Sequence, residues 1–162
     1  MSDLPKKVFT NPIHFLAFGF GAGLSPKAPG TVGTLVAIPI YILLVHTNWW
    51  IYSAVMVVSF GFGIWLCGKS SEALGVHDHG GIVWDEMVGY LITMFMAPIG
   101  WVWILLGFGI FRALDILKPW PIKAVDKHIH GGIGIMLDDV LAGIMATLSI
   151  HCLLYTSEAA DE

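Results

Sequence analysis

The chain has 162 residues, 56% of them hydrophobic and only 12% charged, and its mean hydropathy is +0.77. A soluble domain carries about 25% charged residues, so half that share together with long apolar runs points to a membrane protein. A net charge of −4 with no basic stripe excludes nucleic acid as a partner, and the length suits a single membrane-embedded domain over residues 1–162, with 1–12 and 156–162 as tails.

In chain order, Lys6 and Lys7 precede an apolar stretch, Ile13–Leu24, that superficially resembles a signal peptide. Pro12 and His14 interrupt it and no small-residue cleavage site follows, so it is expected to be retained. Gly19, Gly21 and Gly23 make it a poor spanning helix, and an interfacial or re-entrant segment is expected instead. The loop Gly21–Thr31 then carries Lys27 and the hydroxyls of Ser25 and Thr31 into a helix start. Backbone N–H groups in such a loop suit a phosphate; a tight connector is the plain alternative. Neither a Walker A sequence nor a dinucleotide fingerprint is present.

Apolar runs follow at Thr34–Val45, Trp49–Cys67, Met87–Ala97, Trp101–Phe111 and Val140–Tyr155. Only Trp49–Cys67 reaches the roughly 20 residues a span requires. Pro39 is a candidate kink in the first run. Pro98-Ile99-Gly100 is a turn signal between the third and fourth, although Met87–Phe111 as one long helix is the competing reading. Cys67 and Cys152 sit in apolar stretches without metal spacing and are expected to be packing residues.

Charge placement favours five crossings over four. With five, all eight Lys and Arg residues lie on one side, while the loops His46–Asn48 and Pro98–Gly100 and the acidic tail carry none. The positive-inside rule makes that side cytoplasmic. The expected architecture is therefore an all-α polytopic membrane bundle of about five apolar helices with Gly-rich cytoplasmic loops. Asp78, Asp85, Glu86, Asp115, Asp138 and Asp139 gather at that face, together with His77, His79, His128 and His130. So many ionisable groups at one membrane boundary mark a functional site.

The stretch Val76–Gly89 is the centre of that face. It leads from His77, Asp78 and His79 through Gly80-Gly81 to Asp85-Glu86, at the mouth of an apolar run. The pattern returns at an offset of 53, where His130, Gly134, Ile135, Asp138 and Asp139 match His77, Gly81, Ile82, Asp85 and Glu86. Gly89 and Gly143 follow just inside each run. The sequence thus predicts two Gly-rich loops, each delivering two carboxylates to the start of an apolar helix. Carboxylates without cysteines select Mg²⁺, Mn²⁺ or Ca²⁺ over zinc. Helix N-capping accounts for one such pair, but two pairs plus Asp78 exceed it. Arg112 and Asp115 lie at i,i+3 on one helix face, either as a structural ion pair or with Arg112 as a bidentate phosphate clamp, Asp115 as its positioner or a metal ligand and Lys118 as a second cation. His79 and His77 are candidate proton carriers.

GLSPKAPGTVG (23–33), HDHGGIVWDEMVG (77–89), FRALDILKPWPI (111–122) and HGGIGIMLDDVLAG (130–143) resemble, in order, the signature blocks of the phosphatidylglycerophosphatase A family of bacterial inner-membrane lipid phosphatases. The resemblance implies Mg²⁺-dependent hydrolysis of phosphatidylglycerophosphate to phosphatidylglycerol, the cardiolipin precursor, by an enzyme whose partner is the phospholipid in the bilayer. On that reading Asp78, Asp85, Glu86, Asp115, Asp138 and Asp139 are candidate metal ligands. Lys27, Thr31, Arg112 and Lys118 are candidate phosphate contacts, and Asp85, Asp138, His79 and Arg112 candidate catalytic groups. Direct water attack is preferred over an aspartyl-phosphate on Asp85 or Asp138. A cation- or proton-coupled transporter with carboxylates at a repeat interface is the rival from another class, and a structural lipid-binding protein is a second.

Overall fold

The computed structural model describes residues 3–76 and 79–160, and these form helices and connecting turns with no strand among them. The helices are α1 (Leu4–Thr10), α2 (Pro12–Ala17), α3 (Pro29–Leu44), α4 (Trp49–Leu74), α5 (Trp84–Thr93), α6 (Trp101–Leu117), α7 (Ile122–His128) and α8 (Gly131–Ala160), with a 3-10 turn at Ala22–Leu24. Each of the five apolar runs supplies a helix, although the third, Met87–Ala97, leaves its helix after Thr93. Asn48 starts α4, its side-chain oxygen accepting from the Ile51 N–H at 3.2 Å, and Gly75 ends it in the left-handed region. Pro29 occupies the first turn of α3, where its missing N–H costs nothing, and the helix continues through Pro39. Met87–Phe111 is not one helix, because α5 stops at Thr93 and α6 begins at Trp101.

One expectation is corrected. Gly131–Gly134 is not a loop: α8 begins at Gly131, and Asp138 and Asp139 sit about two turns inside it. The cause is packing. A side chain at Gly132 would strike the Ile64 carbonyl and the Gly68 backbone, so glycine there lets α8 cross α4 almost backbone to backbone. The match at offset 53 is therefore one of sequence, and the two acid pairs occupy different helical positions.

Helix α5 is enclosed by α3, α4, α6 and α8, with Asp85, Met87, Val88, Tyr90 and Leu91 buried. Hydrogen bonds bind the neighbours to it. Tyr52 Oη donates to the Leu91 carbonyl (2.7 Å), Thr147 Oγ1 to that of Ile92 (2.8 Å), and from α5 itself Tyr90 Oη donates to the Ile104 carbonyl (3.1 Å). Tyr41, Met94, Phe111, Ala146 and Ile150 complete the core around it. Successive helices alternate in direction. The start of α3 meets the start of α5 and the end of α6 at Gly30, Glu86 and Arg112, whereas Val45, Trp49, Met94 and Ala97 line one hollow at the other end.

Two helical stretches, Trp49–Leu74 and Gly131–Ser157, are long and apolar enough to cross a membrane, fewer than the four to five crossings the charge pattern predicts. At 16, 10 and 17 residues, α3, α5 and α6 fall short of the usual length. Exposed Leu43, Val57, Leu105 and Leu148 give the bundle an apolar outer surface. The N-terminal stretch is broken rather than spanning. Val8, Ala17 and Phe18 pack beside Leu66 and Cys67, and His14 Nδ1 lies 2.8 Å from Ser70 Oγ. Cys67 is a buried packing residue as expected, but Cys152 is exposed on α8.

Candidate active site

Asp85 and Glu86 occupy the first turn of α5, and α8 crosses so that Asp139 faces them. One oxygen from each of the three carboxylates lies within 4.8 Å of the others. Asp85 and Asp139 are buried, at 7% and 3% exposure. Glu86 Oε2 and Asp139 Oδ1 have no hydrogen-bond partner among the described residues. Capping does not explain the group. The N-cap of α5 is Val83, without a side-chain bond, and Asp139 lies in a helix interior. Three like charges this close, and this dry, repel unless a cation joins them or one of them takes up a proton.

The cations come from the end of α6. Arg112 Nη1 donates to Asp115 Oδ2 in a short ion pair and lies 3.9 Å from Glu86 Oε1. Its side chain is mostly buried and its Nε has no partner among the described residues. Gly30, in the first turn of α3, makes this possible, because a side chain there would displace the Glu86 carboxylate and crowd the guanidinium. Lys118 caps α6 in the left-handed region and reaches two carboxylates, Asp138 Oδ2 at 2.8 Å and Asp126 Oδ1 at 2.9 Å. Burial alone would lower the Lys118 pKa; the bonds to Asp138 and Asp126 outweigh it and hold the ammonium above its ordinary value.

A family model described as phosphatidylglycerophosphatase A matches residues 15–154. The chain belongs to the phosphatidylglycerophosphatase A family. It is 49% identical over 138 residues to a phosphatidylglycerophosphatase A of Escherichia coli (85% of this chain, 80% of the relative). It is 44% identical over 156 residues to one of Haemophilus influenzae (95% and 96%). A putative phosphatidylinositol-3-phosphatase of Bacteroides thetaiotaomicron is 41% identical over 140 residues (82% and 87%). No solved structure matches the chain. Membership of the phosphatidylglycerophosphatase A family, with two apolar helices of spanning length, makes this a membrane-associated protein of a phosphatase family.

The residues named from the sequence fall into three groups in this family member. Asp85, Glu86 and Asp139 converge, with Arg112 and Asp115 beside them. Asp138 belongs with Lys118 rather than with the three-carboxylate group. His79, Lys27 and Thr31 stand apart from both. His79 packs against Phe18 with ring centres 5.5 Å apart and planes tilted by 40°, and accepts from the Gly81 N–H through Nδ1 at 3.0 Å. Lys27 is exposed, its carbonyl accepting from Ser25 Oγ at 2.8 Å, and Thr31 is half-buried. His77 and Asp78 lie outside the described residues. Two residues carry no signal of their own in the sequence. Asp126 meets Lys118 across the Pro119–Pro121 turn, and Gly30 reads as one more loop glycine until α5 and α6 are placed against it.

Proposed function

We propose that the chain is a Mg²⁺-dependent lipid phosphatase that hydrolyses the terminal phosphomonoester of phosphatidylglycerophosphate to phosphatidylglycerol and inorganic phosphate. The observation that carries the reading is the buried group Asp85–Glu86–Asp139 with Arg112 against it, at one end of an apolar bundle of this family. The names of the Escherichia and Haemophilus relatives supply the substrate.

The donor set fits a hard divalent cation, being all carboxylate oxygen with Glu86 Oε2 and Asp139 Oδ1 lacking donors among the described residues. Asp85, Glu86 and Asp139 would hold Mg²⁺, which when bound supplies Lewis-acid polarisation of a phosphoryl oxygen and a lowered water pKa. Arg112 turns its fork to the phosphoryl oxygens and neutralises charge as it develops. Asp115 and Glu86 hold the guanidinium in place until then. Lys118 fixes Asp138 at the edge of the site. Water attacks phosphorus, the bond to the glycerol oxygen breaks, and that oxygen takes a proton. His79 could supply that proton only as an imidazolium, once its Nδ1 has released the Gly81 N–H that it accepts.

The site is placed on the cytoplasmic face of a bacterial inner membrane, with α3, α4, α5, α6 and α8 as five passes. Supporting this, Lys69, Arg112, Lys118, Lys123 and Lys127 lie toward the site end, and the turns 45–48 and 94–100 hold no Lys or Arg. A coupled transporter would need its carboxylates near the bilayer midplane, whereas Asp85 and Glu86 open a helix.

The test is phosphate release by the purified protein in detergent. Release from phosphatidylglycerophosphate is expected with Mg²⁺, lost on chelation and restored by Mg²⁺. Asp139→Asn should insert normally and lose nearly all of it. Phosphatidylinositol 3-phosphate is run in parallel, because one relative bears that substrate in its name. Faster release from it would move the substrate assignment, and release from neither lipid would end the phosphatase reading.

A further inference from the structure

We infer that the cleft between α4 and α8 is a groove for one acyl chain of the lipid substrate. The inference rests on the lipid-phosphatase reading above and adds to it the place where the lipid is held. Two open apolar hollows, of about 230 and 180 Å³, share Met56 and Ile92 and so adjoin along one groove. Its near end lies at Phe60 and Val140, and its far end at Leu148. Val140 directly follows the carboxylate residue Asp139. At the near end on α4, Ser59 accepts at its carbonyl from Trp84 Nε1 (3.1 Å), and Trp84 directly precedes Asp85. The groove therefore begins one residue from Asp139 on α8, is tied on α4 to Asp85 through Phe60, Ser59 and the Trp84 hydrogen bond, and runs away from both.

The cleft is built into the fold. Helices α4 and α8 are pressed together at Gly68 and Gly132, and Met136 fills the space beside Gly63. Beyond that point Ile92 of α5 forms the floor of the cleft. The one polar side chain lining it, Thr147, turns its hydroxyl to the carbonyls of Ile92 and Gly143 and offers nothing to a polar ligand. From Val140 to Leu148 the groove runs about 12 Å along α8 at ~1.5 Å per residue, against roughly 15 Å for one leaflet of a hydrocarbon core about 30 Å thick. An occupant that is apolar, one leaflet long and tethered at a phosphate-binding end is an acyl chain of the substrate.

Tryptophan at Leu148, 65% exposed, blocks the far end, and tryptophan at Ile144, 44% exposed, blocks the middle. Both variants are compared with wild type on dipalmitoyl and dihexanoyl phosphatidylglycerophosphate in mixed micelles. Leu148→Trp should raise KM about tenfold for the long-chain lipid only, the loss of contact with about two methylenes. Ile144→Trp should raise it for both lipids, with kcat held. Leu148→Ala is the milder variant, losing long-chain preference without added bulk, and serves if a tryptophan variant does not insert. Wild type active on both lipids with an unchanged long-to-short ratio in every variant means that the cleft holds only bulk lipid, and overturns the groove alone. A wild type inactive on every lipid overturns the phosphatase reading and the groove with it.

Discussion

At Arg112 the guanidinium is divided between two carboxylates, in contact with Asp115 and 3.9 Å from Glu86, while Nε has no partner among the described residues. Lysine keeps the charge but loses the planar fork, so it can satisfy one neighbour and not the geometry of a phosphoryl group. Arg112→Lys should therefore lower kcat/KM by roughly tenfold or more, equivalent to about 1.4 kcal/mol of transition-state stabilisation. The loss should persist at saturating Mg²⁺. Rescue by added Mg²⁺ would make Arg112 an orienter of the Glu86 carboxylate, and an unchanged rate would leave it a structural ion pair. The i,i+3 spacing makes Arg112–Asp115 legible in the sequence, since a helix fixes that contact by itself. Glu86–Arg112 and Asp138–Lys118 are not legible, because each depends on how two helices pack. The sequence alone treats Asp138 and Asp139 as equivalent; two turns into α8, successive residues point about 100° apart, and only Asp139 turns to Asp85 and Glu86.

Among the elements, the apolar runs announce five helices but not their starts. Helix α8 begins well before its apolar run, and that start is hidden in the sequence because Gly131–Gly134 reads as loop by composition. In a helix pressed on a neighbour, glycine is selected for closeness rather than for turning, and one sequence does not distinguish the two uses. The short helices α1, α2 and α7, at 7, 6 and 7 residues, are too short to show a period. Two substitutions separate the uses of glycine. At Gly132 an alanine would meet the Ile64 carbonyl and force α8 off α4, at the cost of about 1–3 kcal/mol typical of overpacking. At Gly61, in the middle of α4, an added Cβ has nothing within 4 Å, so alanine should gain up to about 1 kcal/mol of helix propensity. Thermal inactivation in detergent should shift down for Gly132→Ala and up for Gly61→Ala. Equal shifts would contradict the close crossing of α4 and α8.

For the molecule as a whole, helix length and helix direction give different counts of crossings. By length, only Trp49–Leu74 and Gly131–Ser157 qualify among the described residues, since α5 extends only about 15 Å at ~1.5 Å per residue. By direction, α3, α4, α5, α6 and α8 alternate between two ends, one holding Gly30, Glu86 and Arg112 and the other Val45, Trp49 and Ala97. A short helix enclosed by longer ones need not match the bilayer, because protein rather than lipid satisfies its ends. On the proposed five-pass topology, direction decides which side each loop faces, and the Lys and Arg residues fall on the site's side. Labelling with a membrane-impermeant thiol reagent tests this after the exposed Cys152 is replaced by alanine. Cysteine at Gly80 or Lys123, both exposed and on the site side, should react only from the cytoplasm. Cysteine at Ile99, 67% exposed in the turn before α6, should react only from outside, as should one at Ser157 near the end of α8. Labelling of Gly80→Cys and Lys123→Cys from opposite sides would place Asp85 and Arg112 across the membrane from each other and dismantle the composite site. Labelling of Ile99→Cys from the cytoplasm would instead leave the site intact and make α5 and α6 a re-entrant pair, reducing the passes to α3, α4 and α8.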